Sequence, residues 1–165
     1  LVAARLTGVK IVIFASSNHT TVMYENDKPY LDIVTGNYEG INPEDIPLIS
    51  VATPLRPDGH YGIGKAFVEC IGRYYSDTYG ISVLCLRIGT LNQEGRPIEP
   101  RQFATLLTHP DLVQLVERCI EAPDDLGFGV YYGVSNNKWR FWDIENSLRE
   151  IGYCPEGNAE LWRNG

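Results

Sequence analysis

The sequence predicts an α/β fold built on a parallel sheet, and two patterns carry this prediction. Three short apolar runs rich in β-branched and aromatic residues lie at residues 10–16, 81–88 and 128–134, and they are typical of strands buried on both faces. Segments with the three- and four-residue apolar spacing of helices separate these runs. Strands that alternate with helices in this way are expected to form a parallel sheet with helical crossovers.

The first part of the chain contains one helix end, one strand and one long connection. Residues 1–6 have the pattern of the last turns of a helix, with Gly8 as its cap, and a strand follows at once. Because a domain rarely begins in this way, we expect further sequence upstream. Residues 18–58 form a connection far longer than the usual limit of about 12–15 residues, and such connections are usually functional or mobile. Within it, residues 21–24 and 30–34 are predicted to pair as a small hairpin.

The helices that follow are predicted from their apolar spacing and their terminal residues. The longest begins after Asp58, its predicted N-cap, and ends at Gly80. Three shorter helices are predicted near Arg101, from Thr108 or His109 through Ile120, and over residues 144–151 after a cap at Asp143.

Composition excludes several classes of function. The net charge is -7 and no cluster of lysine or arginine is present, so a nucleic-acid partner is not expected. No apolar run approaches the roughly 18 residues of a membrane span, so no membrane partner is expected either. The four cysteines lack metal-ligand spacing, and those in strand or helix patterns resemble reduced core thiols. A cytoplasmic location and no metal site are therefore expected.

The chemically most informative motif is YGIGK, in which Tyr61 and Lys65 lie one helical turn apart. An ordinary tyrosine is protonated at neutral pH, so a neighbouring ammonium that favours the phenolate makes it a base. Ser16 and Ser17 end the first predicted strand, and ligands in open α/β sheets bind beyond such ends. The spacing alone fits a solvated helix face equally well. The two serines at the end of the preceding strand favour a proton-transfer site.

Several motifs occur in a characteristic order: FASSNH, RPDGHYGIGKAF, CLRIGT, and VYYGVSNN with WDIEN. In this order they resemble the extended short-chain dehydrogenase/reductase superfamily, and within it the uronate dehydrogenase-like branch of the NAD-dependent epimerase/dehydratase family. The resemblance covers about residues 10–160. It implies a partial Rossmann-like, doubly wound parallel sheet whose first βαβ units lie upstream, because the glycine-rich phosphate loop of the family is absent from this chain.

The resemblance also implies roles for individual residues. Ser17 matches the catalytic serine that holds the substrate oxygen, Tyr61 the general base, and Lys65 the lysine that supports the tyrosine and binds the nicotinamide ribose. With Tyr61 and Lys65, Ile88 is an implied cofactor contact, and the cofactor is NAD, with NADP as an open possibility. The implied substrate contacts are Asn18, His19, Thr90 and Arg101. From the residues alone, His19 also fits a loop brace and Arg101 a solvated residue at a helix start.

Taken together, residues 1–165 are expected to form the carboxyl-terminal part of a single NAD(P)-binding Rossmann-like domain. Small substrate-binding elements are expected from the insert 18–58 and the segment 90–165. Only 76 residues follow Gly89, which leaves little room for the large lobe of nucleotide-sugar enzymes. A small, free sugar acid therefore fits better. The resemblance implies that the full-length protein oxidises a hexuronate at C1 to the lactone, and that it is a homo-oligomer.

Two alternatives remain open at this point. One is an NAD(P)-dependent sugar epimerase or reductase of the same superfamily. The other is a non-catalytic fragment, because a chain without the glycine-rich turn lacks the site for the cofactor's phosphates and is expected to bind NAD weakly or not at all.

Overall fold

The structure is a computed structural model, describes residues 1–163, and contains a three-stranded parallel sheet. The strands are β1 (Ile11–Ser17), β2 (Ser82–Ile88) and β3 (Phe128–Gly133), with β2 in the centre. Ser17 lies opposite Ile88 in the pairing of β1 with β2, so these strands end at the same edge of the sheet. The predicted α/β class with a parallel sheet is confirmed.

Six α-helices accompany the sheet within residues 1–163, and short 3-10 turns lie between them. None of these helices is long and apolar enough to span a membrane. The α-helices are α1 (Val2–Leu6), α2 (Tyr30–Val34), α3 (His60–Tyr79), α4 (Gln102–Thr105), α5 (His109–Ile120) and α6 (Glu145–Ile151). The 3-10 turns are Asn18–Thr20, Val22–Asn26, Pro43–Asp45 and Ala159–Trp162.

Helices cover both faces of the sheet. Successive side chains of a strand point to opposite faces, so alternate residues of β2 pack against different helices. Val83 and Cys85 of β2 pack in one cluster with Tyr75 of α3. Leu84 and Leu86 belong to a second cluster that includes residues of α5 and α6. Full burial of such an aliphatic side chain contributes about 1.5–3 kcal/mol. The central strand is therefore apolar on both faces, as the run 81–88 predicted.

The long connection 18–58 packs against the segment that follows β3. Its residues Tyr30, Ile33 and Ile49 share a buried cluster with Phe141 and Trp142. A parallel bridge joins Ile49 to Trp142, with hydrogen bonds that run from Ile49 N to Phe141 O and from Asp143 N to Ile49 O. The aromatic residues of this segment thus hold the connection in place beside the end of the sheet.

The hairpin predicted within this connection is wrong. Residues 22–26 form a 3-10 turn, and residues 30–34 form α2, in which Ile33 N donates to Pro29 O. Tyr30 and Ile33 are three positions apart, so a helical turn places both on the side of the aromatic cluster. Burial against this cluster therefore favours the helix over a strand that would alternate the two side chains.

Two predicted caps also differ from the structure. Gly59, not Asp58, is the N-cap of α3, because the Asp58 carboxylate is hydrogen-bonded to His19 instead. Ile144 is the N-cap of α6, although Asp143 Oδ1 still accepts a hydrogen bond from Glu145 N.

Candidate active site

A cleft of about 430 Å³ lies where β1 and β2 end. The parallel pairing sets Ser17 opposite Ile88, and α3 begins beside the turn that follows Ser17. This is the edge of an open α/β sheet at which ligands bind. The structure brings every predicted site residue to this cleft: Ser17, Asn18, His19, Tyr61, Lys65, Ile88, Thr90 and Arg101.

The turn that follows β1 presents three polar side chains to the cleft. Ser17 ends the strand and caps the turn, since its Oγ accepts a hydrogen bond of 3.2 Å from His19 N. The hydroxyl hydrogen of Ser17 is then free for another acceptor. Asn18 is buried, and its Oδ1 has no hydrogen-bond partner among the described residues. A buried unpaired oxygen of this kind is costly unless a ligand or water reaches it.

The imidazole of His19 is held from two sides. Its Nδ1 lies 2.8 Å from Asp58 Oδ2, and because a carboxylate only accepts hydrogen bonds, Nδ1 donates. The edge of the ring meets the ring of Tyr61, with 5.3 Å between the centroids. Asp58 therefore orients His19 within the cleft, whereas the sequence predicted Asp58 as a helix cap.

Tyr61 and Lys65 project from the first turns of α3. Lys65 Nζ lies 5.4 Å from the centroid of the Tyr61 ring and donates a hydrogen bond of 2.5 Å to Ala15 O of β1. Tyr61 is more than half exposed, at 59%. Between them, Gly62 permits α3 to approach the turn after β1, since a Cβ there would lie 2.2 Å from His19 O. The backbone thus brings the phenol, the ammonium and the Ser17 hydroxyl to one cleft.

Beneath the cleft lies a buried ion pair between Glu69 of α3 and Arg87 of β2, called the floor pair below. Arg87 Nε and Nη2 donate to the two Glu69 oxygens at 2.9 and 2.8 Å, and Ser16 Oγ donates to Glu69 Oε1 at 2.7 Å. Arg87 Nη1 also donates to Tyr132 OH. Burial acts to lower the pKa of Arg87, but the interactions with Glu69 and Tyr132 outweigh it and raise that pKa above its ordinary value.

The floor pair was missed by sequence analysis, although a signal existed. Arg87 stands inside an otherwise apolar strand run, and a charge at such a position requires a partner. Its neighbour Tyr132 is buried, which raises the pKa of its phenol, while Arg87 and Thr21 partly offset that rise.

A second bidentate ion pair lies at the rim of the cleft, between Glu25 and Arg101, and is called the rim pair below. Arg101 Nε and Nη2 donate to Glu25 Oε2 and Oε1 at 2.6 and 2.7 Å. Arg101 Nη1 donates to Thr90 Oγ1 at 3.3 Å, and Thr90 Oγ1 lies 2.8 Å from Thr105 Oγ1. Glu25 comes from the 3-10 turn Val22–Asn26 of the long connection. It was not predicted as a site residue, and no local pattern points to it.

The described residues also limit what the site can hold. Within residues 1–163, no group of three or more His, Cys, Asp or Glu side chains is placed to bind a metal ion. Of the three N–H donors of the Lys65 ammonium, Ala15 takes one, so hydroxyl groups of a ribose fit the others. A glycine-rich phosphate turn is not part of this sequence.

No family model matches the chain, but known proteins do. Uronate dehydrogenase from Pseudomonas putida is 35% identical over 161 residues, which cover 98% of this chain and 52% of that protein. The crystal structure of a mutant uronate dehydrogenase from Agrobacterium tumefaciens complexed with NAD matches with a TM-score of 0.75 and 33% identity, over 98% of this chain and 52% of that one. This chain resembles the uronate dehydrogenases.

The chain is also similar to a dehydrogenase that is named for a sugar phosphate. NAD-dependent glucose-6-phosphate dehydrogenase from Haloferax volcanii is 36% identical over 159 residues, which cover 95% of this chain and 57% of that protein. The chain spans about half the length of the curated relatives it matches. The predicted resemblance and the predicted partial Rossmann-like fold are confirmed.

Proposed function

We propose that the protein carrying this chain is an NAD-dependent dehydrogenase that oxidises a sugar acid, a hexuronate, at its anomeric carbon. One observation carries the proposal: Ser17, Tyr61 and Lys65 line a single cleft at the ends of β1 and β2. The similar proteins named uronate dehydrogenase support a sugar acid as the substrate class. In this proposal residues 1–165 are the carboxyl-terminal part of one NAD(P)-binding domain, and segments 18–58 and 90–165 supply the substrate-binding elements.

The proposed chemistry is proton removal coupled to loss of hydride from C1. The Tyr61 phenolate takes the proton of the C1 hydroxyl, and the Lys65 ammonium one turn away stabilises that phenolate. Ser17, whose Oγ is already aligned by His19 N, donates its hydroxyl hydrogen to the same sugar oxygen. As the O–H and C1–H bonds break, the carbonyl of the lactone forms. Bound NAD supplies the acceptor for the hydride.

Residues around the rim bind and orient the rest of the sugar. Asn18 Oδ1 accepts a hydrogen bond from a sugar hydroxyl, and the His19 ring, fixed by Asp58, borders the ring of the substrate. Thr90 and Arg101 lie together on the other side of the cleft, where the guanidinium binds the substrate carboxylate. Lys65 and Ile88 border the position of the nicotinamide riboside, and NAD is proposed because the similar structure is complexed with NAD.

A cytoplasmic location and a homo-oligomeric full-length protein are part of the same proposal. The four cysteines are free thiols, which fits a reducing compartment. On α3, the side chains of Ile63, Phe67 and Tyr74 are more than half exposed, and a second copy is the proposed cover for this face. Light scattering on the complete protein measures the oligomeric state directly.

Replacement of Tyr61 tests the proposed function. In the complete protein, Tyr61→Phe removes the base but keeps the ring that packs against His19. We expect kcat for NAD reduction with glucuronate or galacturonate to fall by about 10²–10⁴-fold. The matched control is Tyr79→Phe, the same change at the opposite end of α3, which is expected to leave kcat within about twofold of the parent. Undiminished NAD reduction by Tyr61→Phe contradicts the assignment.

A further inference from the structure

The rim pair leaves Arg101 with a specific set of hydrogen-bond donors. A guanidinium carries five N–H groups. Glu25 takes one on Nε and one on Nη2, and Thr90 takes one on Nη1. Among the described residues, two N–H groups therefore remain for a ligand, one on Nη1 and one on Nη2. The one on Nη2 lies at the end of the guanidinium opposite its stem, because Glu25 occupies the side formed by Nε and Nη2.

Glu25 approaches Arg101 from outside the cleft. Arg101 is one of the residues that line the cleft, whereas Glu25 is not, and Glu25 is only 7% exposed. A substrate in the cleft therefore meets the guanidinium with its counter-charge already in place behind it. Glu25 belongs to the long connection 18–58, so this counter-charge is supplied by a segment outside the strands and helices that carry Ser17, Tyr61 and Lys65.

The charge balance has opposite consequences for acidic and neutral sugars. A carboxylate at the free end of Arg101 meets a neutral ion pair and is repelled by the nearby Glu25 carboxylate, so it gains less than from a lone arginine. A neutral sugar carries a hydroxyl in place of the carboxylate, and this oxygen accepts from the same two N–H groups without repulsion. A device that penalises one ligand in this way sets specificity as effectively as a new attractive contact.

We propose that Glu25 is a specificity-determining residue that neutralises Arg101 and thereby narrows the preference of the site for a carboxylate-bearing sugar over the matching neutral sugar. This inference rests on the proposed dehydrogenase function. It identifies the substrate class as hexuronates together with the neutral hexoses of the same ring configuration.

The test compares two substrates that differ only at the carbon that carries the carboxylate. Initial rates of NAD reduction are measured for the complete protein with glucuronate and with glucose, and the ratio of the two kcat/KM values is the readout. In Glu25→Gln, which keeps the size and one hydrogen bond of the side chain, this ratio is expected to rise about tenfold through a lower KM for glucuronate. A general loss of structure lowers both kcat/KM values and leaves the ratio unchanged.

The matched control is Glu39→Gln on the same long connection. Glu39 is exposed, and its replacement removes the same charge at a position without contact to Arg101. The glucuronate-to-glucose ratio of kcat/KM in this variant is therefore expected to equal that of the parent. A ratio in Glu25→Gln that is unchanged or lower, in a variant whose kcat/KM for glucose matches that of the parent, contradicts the inference. A parent protein that reduces NAD with neither sugar contradicts the proposed function and the inference together, so the two failures are distinguishable.

The parent protein provides a second measurement that does not require the variant to fold. Glucose keeps an oxygen at the carbon that carries the carboxylate in glucuronate, so the two substrates differ at this position in charge and not in the ability to accept hydrogen bonds. With Glu25 in place, we expect the glucuronate-to-glucose ratio of the parent to stay below about 100. A larger ratio means that Arg101 acts with its full charge, and the inference then fails.

Discussion

The floor pair and the rim pair have the same bidentate geometry, but they differ in their access to water. In the floor pair the side chains of Arg87 and Glu69 are 3% and 7% exposed. In the rim pair the side chain of Arg101 is 25% exposed and the side chain of Glu25 is 9% exposed. The first arginine has no free path to a ligand, whereas the second lines the cleft. Burial, and not pair geometry, therefore decides which of the two arginines is open to the cleft.

The two pairs also connect different parts of the molecule. The floor pair joins α3 to β2, and through Ser16 it also joins the end of β1, so it fixes the strands beneath Ser17 and Tyr61. The rim pair joins the long connection to the start of α4. Loss of the floor pair is therefore expected to affect the whole cleft, and loss of the rim pair only one side of it.

The largest expected effect is the difference in stability between Glu69→Ala and Glu25→Ala. Glu69→Ala leaves the Arg87 charge buried without its partner, which we expect to lower the free energy of unfolding by about 3–5 kcal/mol. Glu25→Ala leaves an arginine that water reaches, so a loss of about 1–2 kcal/mol is expected. Urea denaturation of the two variants measures both values. Equal losses would show that exposure does not separate the pairs.

A smaller effect is expected from the backbone contact that places Tyr61 beside the turn after β1. In Gly62→Ala the new methyl group meets the His19 carbonyl oxygen at 2.2 Å, so α3 or the turn has to shift, at a cost of about 1–3 kcal/mol and with lower kcat. Gly64→Ala is the matched control, because the same methyl group enters open space and is expected to stabilise the helix by about 0.5–1 kcal/mol.

Thermal unfolding curves of the two glycine variants, recorded side by side, give the sign of each change. The Gly62→Ala variant is expected to unfold at a lower temperature than the parent, and the Gly64→Ala variant at a higher one. If Gly62→Ala were as stable and as active as the parent, the close approach of α3 to the turn would not be needed for the site.

The smallest expected effect is the pH dependence of stability that the floor region adds. Burial, together with the charge of Glu69 and against the opposing charge of Arg87, raises the pKa of Cys85 from 9.0 to about 12. Above pH 9 the unfolded thiol loses a proton that the folded thiol keeps, so the unfolded state is favoured as pH rises toward 12. We expect a loss of about 1 kcal/mol by pH 10 from this group.

Urea denaturation between pH 8 and pH 10.5 measures this slope. Burial raises the pKa of Cys119 to about 12 as well, so part of the slope belongs to that thiol. The variant Cys85→Ala is expected to have a shallower slope than the parent. A slope that is identical in the two proteins excludes Cys85 as a contributor.

The features that the sequence predicted correctly depend on residues that are close together in the chain. Tyr61 and Lys65 are four residues apart, and helical geometry alone predicts that they share a face. The turn Ser17 to His19 is likewise local. The run 81–88 predicts a buried strand because the apolar pattern itself records burial on both faces. These elements could be predicted because their physical causes lie within a few residues.

The predictions that failed depend on partners elsewhere in the chain. Asp58 is a good helix cap by local preference, but its carboxylate accepts a hydrogen bond from the His19 ring, which lies 39 positions away in the sequence. The hairpin at 21–34 is replaced by helical turns, because the aromatic cluster around Trp142 buries Tyr30 and Ile33 on one side. In each case a contact distant in sequence outweighed a local preference.

Short-range chemistry was therefore sufficient for the parallel α/β sheet, the Tyr61–Lys65 spacing and the position of the serines at a strand end. The counter-charge on Arg101 was not accessible in this way, since Glu25 lies 76 positions from it and no periodicity connects them. The folded chain brings the two together by packing the long connection against the segment after β3. Free energy gained from that remote burial, and not any local propensity, places the Glu25 carboxylate against Arg101.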